Sequence, residues 1–283
     1  MNDWKAVALN IADRIPMVES PEDYYKDGLL YCGICHTQKQ TKVDILGTVE
    51  TVPCVCKCRQ EEAKKAEARL REINRQAVIE RRRSECFDAP AMKDWTFAND
   101  DGGSAKVIEV GRKFCDNFET FRKDGKGLLM YGTVGTGKSY ASACIANELI
   151  DRGYRCYMTN FSTLANKLTS LSFEKKQDFL DGLSRYDLMV IDDLATERDT
   201  EFMNEVVQTI VDTRYRTRKP VIVTTNLTAE ELKNPSDMVK KRIYSRLYEM
   251  CCPVKVEGKD RRRKALKKNV SDYSSLLGLG GAE

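Results

Sequence analysis

One stretch constrains this chain more than any other. From Leu128 to Leu149 it reads LLMYGTVGTGKSYASACIANEL: an apolar run, a glycine-rich turn, then apolar residues at helical spacing. The turn fits G-x-x-x-x-G-K-[ST], with Gly132, Gly137, Lys138 and Ser139 at the fixed positions. Its glycines, Gly135 among them, let the backbone curl so that amide groups face phosphate oxygens, and the following helix adds its positive end. The expected cradle is Gly132, Thr133, Gly135, Thr136, Gly137, Lys138, Ser139 and Tyr140. Lys138 would reach the β and γ phosphates, and the Ser139 hydroxyl would take one place on a Mg²⁺ ion.

The segments that follow alternate in type. GLLMYG, RCYMTN, DLMVIDDL and KPVIVTTN are apolar strands with helical stretches between them, which predicts a parallel sheet covered on both faces. The long connection from Thr159 to Asp187 is expected to form two helices. Ligands of such sheets sit at the carboxyl ends of strands, so those ends read as one site. Asp192 and Asp193 end one strand. Two carboxylates emerging from a buried strand need a cation, and Mg²⁺ on a triphosphate supplies it. Asp192 would hold the metal, and Asp193 would orient or deprotonate the attacking water. Thr225 and Asn226 end the next strand, where they would position that water or sense the γ phosphate.

Eleven cysteines accompany an N-terminus, MNDWKAVALNIADRIP, that has no apolar core of the secretory kind. With no apolar run long enough for a membrane span, the expectation is a cytoplasmic protein in a reducing compartment. There, clustered cysteines are metal ligands more often than disulfides. Cys32 and Cys35 precede a strand-like excursion, TKVDILGTVETV, and Cys54, Cys56 and Cys58 follow it. Folding the excursion back brings both groups to one tetrahedral zinc ion. Cys32, Cys35, Cys56 and Cys58 are the preferred set, because a helix beginning near Cys58 would stabilise a thiolate; Cys54 or the single histidine, His36, remain substitutes. With four thiolates the site is structural.

Charge is localised. Arg59 to Arg83 carries +4 and Lys255 to Lys268 carries +6, leaving −6 for the rest of a chain whose formal net charge is +4. Basic segments of this kind attract nucleic-acid phosphates. The expected organisation is a zinc domain over 1–83, a nucleotide-binding domain over 84–268, and a tail over 269–283.

The phosphate loop at 132–139, the Asp-Asp strand at 188–193, TTN at 224–226 and KKRIYSRLYEM at 240–250 together resemble the AAA+ ATPase core of bacterial replicative helicase loaders of the DnaC/DnaI type. IstB transposition ATPases are close relatives of these. The resemblance covers about Trp95 to Lys268 and extends, less specifically, to the cysteine cluster. It implies an ATPase with ATP, Mg²⁺ and Zn²⁺ as cofactors. It also implies a hexameric replicative helicase and single-stranded DNA as partners, and self-association through the ATPase domain. Arg246 in YSRL matches the arginine finger, and Arg242, one turn earlier, competes for that role. Arg261, Arg262 and Arg263 lie in the neighbourhood of sensor 2, Phe97 lies near the adenine, and Lys167, Lys175 and Lys176 lie where such loaders meet DNA. Asp193 is one methylene shorter than the glutamate many AAA+ enzymes have, which implies slow, switch-like hydrolysis. A transposition regulator and a small-molecule kinase are the alternatives.

Overall fold

The structure, a computed structural model, describes residues 20–45, 47–195, 200–235, 237–258, 260, 261, 270, 272–274, 276 and 277. The chain falls into two compact units, divided after Ala77. Arg262, Arg263 and the rest of the basic run to Lys268 lie outside the described residues, as does the N-terminal stretch to residue 19. No helix among the described residues is long and apolar enough to cross a membrane.

The first unit contains two antiparallel hairpins and the start of a long helix. Strands β1 (Tyr24–Lys26) and β2 (Leu29–Tyr31) are joined by Asp27 and Gly28. Both joining residues have positive φ, at 53° and 73°, the geometry that two-residue hairpin turns require. Strands β3 (Gln40–Ile45) and β4 (Thr48–Pro53) pair from Gln40 opposite Pro53 to Ile45 opposite Thr48, so the excursion between the cysteine groups is a hairpin. Helix α1 (Lys57–Cys86) follows at once, and its only buried residues are Ile79 and Cys86.

The second unit is an α/β sandwich. Its elements are α2 (Ala105–Asp116), α3 (Phe118–Asp124), β5 (Gly127–Tyr131), α4 (Lys138–Asp151), β6 (Cys156–Asn160), α5 (Phe161–Ser170), α6 (Phe173–Leu183), β7 (Leu188–Leu194), α7 (Glu201–Thr217), β8 (Val221–Thr225), α8 (Ala229–Lys233), α9 (Met238–Met250) and β9 (Cys251–Lys255). The five strands are all parallel, in the order β6-β7-β8-β5-β9. Alternate residues feed opposite faces: Leu128 and Met130 pack with Phe114 and Ile145, while Leu129 packs with Leu164, Ile210 and Leu247. Both faces are therefore covered, as the apolar strands require.

Local chemistry sets the helix starts. Asn160, Thr200, Thr228 and Asp237 each accept a backbone N–H three residues on, and Thr228 with Glu231 forms a full capping box. The fifth strand, β9, comes in addition to the four read from the sequence and carries Pro253. It is an edge strand that pairs with β5 alone, where a missing N–H is tolerated.

Candidate functional site

The phosphate loop leaves β5 at its carboxyl end, beside the carboxyl ends of β7 and β8. Two of its glycines are obligatory. Gly132 has φ 136°, and a Cβ there would run into the Val256 carbonyl; Gly137 has φ 95°, and a Cβ would lie 2.6 Å from the Ser104 hydroxyl. Thr136 closes the turn on itself, its hydroxyl donating to the Thr133 carbonyl at 2.9 Å. The Ser104 hydroxyl in turn donates to the Thr136 carbonyl at 2.8 Å.

Lys138 opens α4 and is buried. Its ammonium donates to the carbonyls of Gly132 and Thr133, both at 2.8 Å, and to Asn226 Oδ1 at 2.9 Å. Loop and β8 are thus tied through one cation. On β7, Asp192 is half-buried, and desolvation pushes its carboxyl above the usual carboxylate range; hydrogen bonds from Thr224 and Ser139 and the charge of Lys138 oppose that rise. Ser139 and Asp192, the two residues expected on Mg²⁺, are in direct contact. Their oxygens, one hydroxyl and one carboxylate, are the donor set that this hard cation takes.

The strand does not run straight through the carboxylates. Pairing with β8 shifts register between Ile191 and Leu194, and Asp193 sits at φ 55°, a left-handed conformation uncommon for residues with a Cβ. Thr224 stabilises this kink: its hydroxyl donates to Asp192 Oδ1 at 2.5 Å and accepts the Asp193 N–H at 2.9 Å. Thr225, by contrast, donates to the Leu194 carbonyl on the opposite side of the strand. Period-two alternation would have found this from sequence, because Thr224 shares a face with Asn226.

Tyr140 donates to the Thr96 carbonyl at 3.1 Å, and burial pushes its hydroxyl up to about 12. The Arg261 guanidinium lies over its ring at 4.9 Å, donates to Asp101 at 2.5 Å, and its backbone N–H reaches the Gly135 carbonyl at 3.0 Å. Arg261 therefore closes the chain's later part onto the phosphate loop. Phe97 is buried against Gly111 with the Arg112 guanidinium 4.8 Å from its ring centre. Arg246 ion-pairs with Asp212 on α7 and sits over the Tyr215 ring, whereas Arg242 is exposed and has no hydrogen bond or ion pair among the described residues. Lys167 is held by Asp88 and the Tyr157 hydroxyl; on α6 Lys175 is exposed and Lys176 half-buried.

In the first unit the sulfurs of Cys32, Cys35, Cys56 and Cys58 all lie within 4.8 Å of one another. Cys54 is turned away, its thiol donating to the Gln38 carbonyl, and His36 faces the Tyr24 ring and hydroxyl. Hydrogen bonds from Cys56, Cys32 and Cys35 push the Cys58 thiol up to about 12. Four sulfurs at this spacing match the closed tetrahedral set that structural zinc takes, and zinc would hold them as thiolates. Beside them Asp23 bonds both the Gly33 N–H and Lys39, a buried ion pair that no sequence motif signalled. A Cβ at Gly33 would strike the Glu22 backbone, so the turn between Cys32 and Cys35 accepts only glycine there.

Comparison with known proteins places this site in context. A family model described as IstB-like ATP binding protein matches residues 38–269. The replicative helicase loader DnaI of Bacillus subtilis is 28% identical over 152 residues, which is 49% of this chain and 48% of that protein, so the match spans about half of the relative's length. DnaC of Escherichia coli K12 is 24% identical over 188 residues, 64% of this chain and 74% of the relative. A putative insertion sequence ATP-binding protein of Sinorhizobium fredii is 30% identical over 103 residues, 36% of this chain and 34% of the relative. A crystal structure of DnaI superposes with a TM-score of 0.51 at 25% identity, covering 64% of this chain and 99% of that one. The phosphate loop joined through Ser139 to the β7 carboxylate lies within the matched span, and the chain belongs to the IstB-like ATP-binding protein family.

Proposed function

We propose that this chain is an ATP-dependent loader that places the replicative DNA helicase on single-stranded DNA. One observation carries the reading: an ATP site with both carboxylates, lysine and polar strand end lies in a chain whose relatives at 24–28% identity are named replicative helicase loaders. In this reading Lys138 neutralises phosphate charge, Ser139 and Asp192 hold Mg²⁺, Asp193 takes the proton of the attacking water, and Asn226 orients that water. The metal, when bound, offsets charge on the phosphate oxygens. Arg246 is committed to Asp212 in its own chain, so exposed Arg242 is the better candidate to reach a neighbouring subunit's nucleotide. The short Asp193 side chain, on a kinked backbone, suits slow hydrolysis and a switch-like use of ATP. The zinc unit contacts the helicase, and the ATPase unit self-associates.

The test is light scattering on a mixture of the protein with the replicative helicase of its host, with and without ATP, alongside a zinc assay. A complex that needs residues 1–83 and responds to ATP supports the loader. A second reading, an ATPase regulating transposition, is favoured by the insertion-sequence relative at 30% identity. No helicase complex, with ATPase activity still stimulated by DNA, would favour it.

A further inference from the structure

At the end of the sheet opposite the phosphate loop there is a cavity of about 780 Å³, formed where the last turns of α1, the start of β6, the end of α6 and the approach to β7 converge. Five cations line it: Arg81, Arg82, Arg155, Lys167 and Arg185. The lining has one acid, Glu85, which is paired with Arg81 at 2.8 Å. Arg82 donates to the Gly153 carbonyl, and Lys167 to Asp88 and Tyr157. Arg155 and Arg185 are exposed, and among the described residues their side chains make no hydrogen bond or ion pair. So much unbalanced positive charge in one recess holds a counter-ion atmosphere that a polyanion displaces on binding.

The recess also has an aromatic wall. Tyr157 and Tyr186 stack with ring centres 5.1 Å apart and planes at 22°, and the Lys167 ammonium lies 5.3 Å from the Tyr157 ring. The inner ring is covered; Tyr186 is the half-exposed one. The segment carrying Arg185 and Tyr186 is held firmly from below. Buried Arg214 donates to the Leu183 carbonyl at 3.2 Å, the Tyr186 carbonyl at 3.0 Å and the Pro220 carbonyl, so its single guanidinium fixes both ends of the turn. A cation spent on backbone carbonyls rather than on an acid pre-organises the residues above it.

From this geometry we infer that the recess is a binding site for single-stranded nucleic acid, with Arg155 and Arg185 on successive phosphates and a base stacked against Tyr186. The inference rests on the single-strand partner of the proposed function and adds where the strand lies. A duplex keeps its bases stacked inside and offers none to a tyrosine face, whereas a single strand supplies both backbone charge and splayed bases. An acidic peptide would satisfy the arginines and leave the aromatic wall unused. Because the site lies at the amino ends of the strands, strand and nucleotide occupy the protein together.

The experiment is fluorescence anisotropy of a labelled oligothymidylate on the zinc-bound full chain across a salt series, with a fluorescent ATP analogue as a control for folding. The double variant Arg155→Ala, Arg185→Ala should bind at least tenfold more weakly at low salt, with the slope of log K against log salt reduced by about 1.4 in magnitude, or ~0.7 for each lost phosphate contact. Tyr186→Leu should weaken binding roughly tenfold and leave the slope unchanged. Wild-type affinity and slope in both variants would overturn the site while leaving single-strand binding to another surface. Absence of oligonucleotide binding by the wild type would sink the partner reading and this site together. Displacement of the oligonucleotide by polyglutamate as effective as by unlabelled strand would reassign the recess to an acidic protein.

Discussion

Between Tyr24 and Pro53 the strand residues are exposed or half-buried apart from Leu30, and among the described residues of the first unit the buried apolar ones are Leu30, Cys32 and Cys56. From β5 to β8 nearly every strand residue is buried, and apolar clusters cover both faces of the sheet. With so few buried apolar side chains among the described residues of the first unit, its four-sulfur cluster is the expected source of order, as metal sites are in small domains. The second has an apolar cluster on each face of its sheet, so burial is the source of its order. Two units in one chain thus have different vulnerabilities.

The largest expected effect tests that contrast directly. Chelating the metal should unfold the first unit outright, since a structural zinc site contributes on the order of 10–16 kcal/mol. Limited proteolysis should then cut within 20–58 while a fluorescent ATP analogue still binds. Retained protection of that segment would break the comparison. The reverse experiment is Ile145→Ala, which empties a fully buried position on one face of the sheet and should cost about 2–5 kcal/mol in thermal or denaturant unfolding of the ATPase unit. Zinc content per chain should not change.

The third prediction separates function from stability within the second unit. Asp192→Asn should abolish Mg²⁺-dependent hydrolysis, by roughly a hundredfold or more. The melting temperature of the nucleotide-free protein should rise, because the native environment disfavours the carboxylate. The sign follows from the raised pKa: ionisation costs more in the folded state than in the unfolded one, so lowering pH through the raised value relieves the folded apo protein. A fall in melting temperature would mean that Thr224, Ser139 and Lys138 outweigh the desolvation.

In the first unit the sign is opposite. Lys39 holds the Asp23 carboxyl down to about 2, below its ordinary 3.8. That contribution is present above about pH 4 and is lost as pH falls towards 2, so Asp23→Asn should remove the pH dependence between those values. Intrinsic fluorescence of the metal-loaded chain reports it, with the thiolates' own acid loss measured in parallel by zinc release. The smallest effect belongs to α1. Glu67→Gln breaks an ion pair with Arg71 that is exposed on both sides, and should shift stability by less than about 0.5 kcal/mol.

The sequence made legible those features that depend on near neighbours. The phosphate loop, the alternation of apolar strands with helices, and the hairpin between the cysteine groups are all local patterns, and the structure has each of them. Cys54 and Cys56 could not be separated in the same way, because both flank the hairpin; only the fold shows Cys54 bonding backward to Gln38. The ion pair of Arg246 was beyond sequence reading for a different reason. Its partner, Asp212, is 34 residues away on another helix, and nothing in YSRL marks the arginine as already committed. Tyr157 and Tyr186 likewise meet only because β6 and β7 are neighbours. The kink at Asp193 needs a long-range partner as well, since Thr224 on β8 supports it.

Lys138 has one more consequence. An ammonium offers three protons, and the carbonyls of Gly132 and Thr133 and the Asn226 amide oxygen each accept a hydrogen bond from it. A phosphate that drew on this ammonium would therefore exchange partners with it rather than simply add one. Of these three partners Asn226 lies outside the loop, so the ammonium that would meet phosphate also joins the loop to the end of β8. A substitution that removed this amine would therefore loosen the link between the loop and the end of β8 as well as take away a phosphate-binding charge.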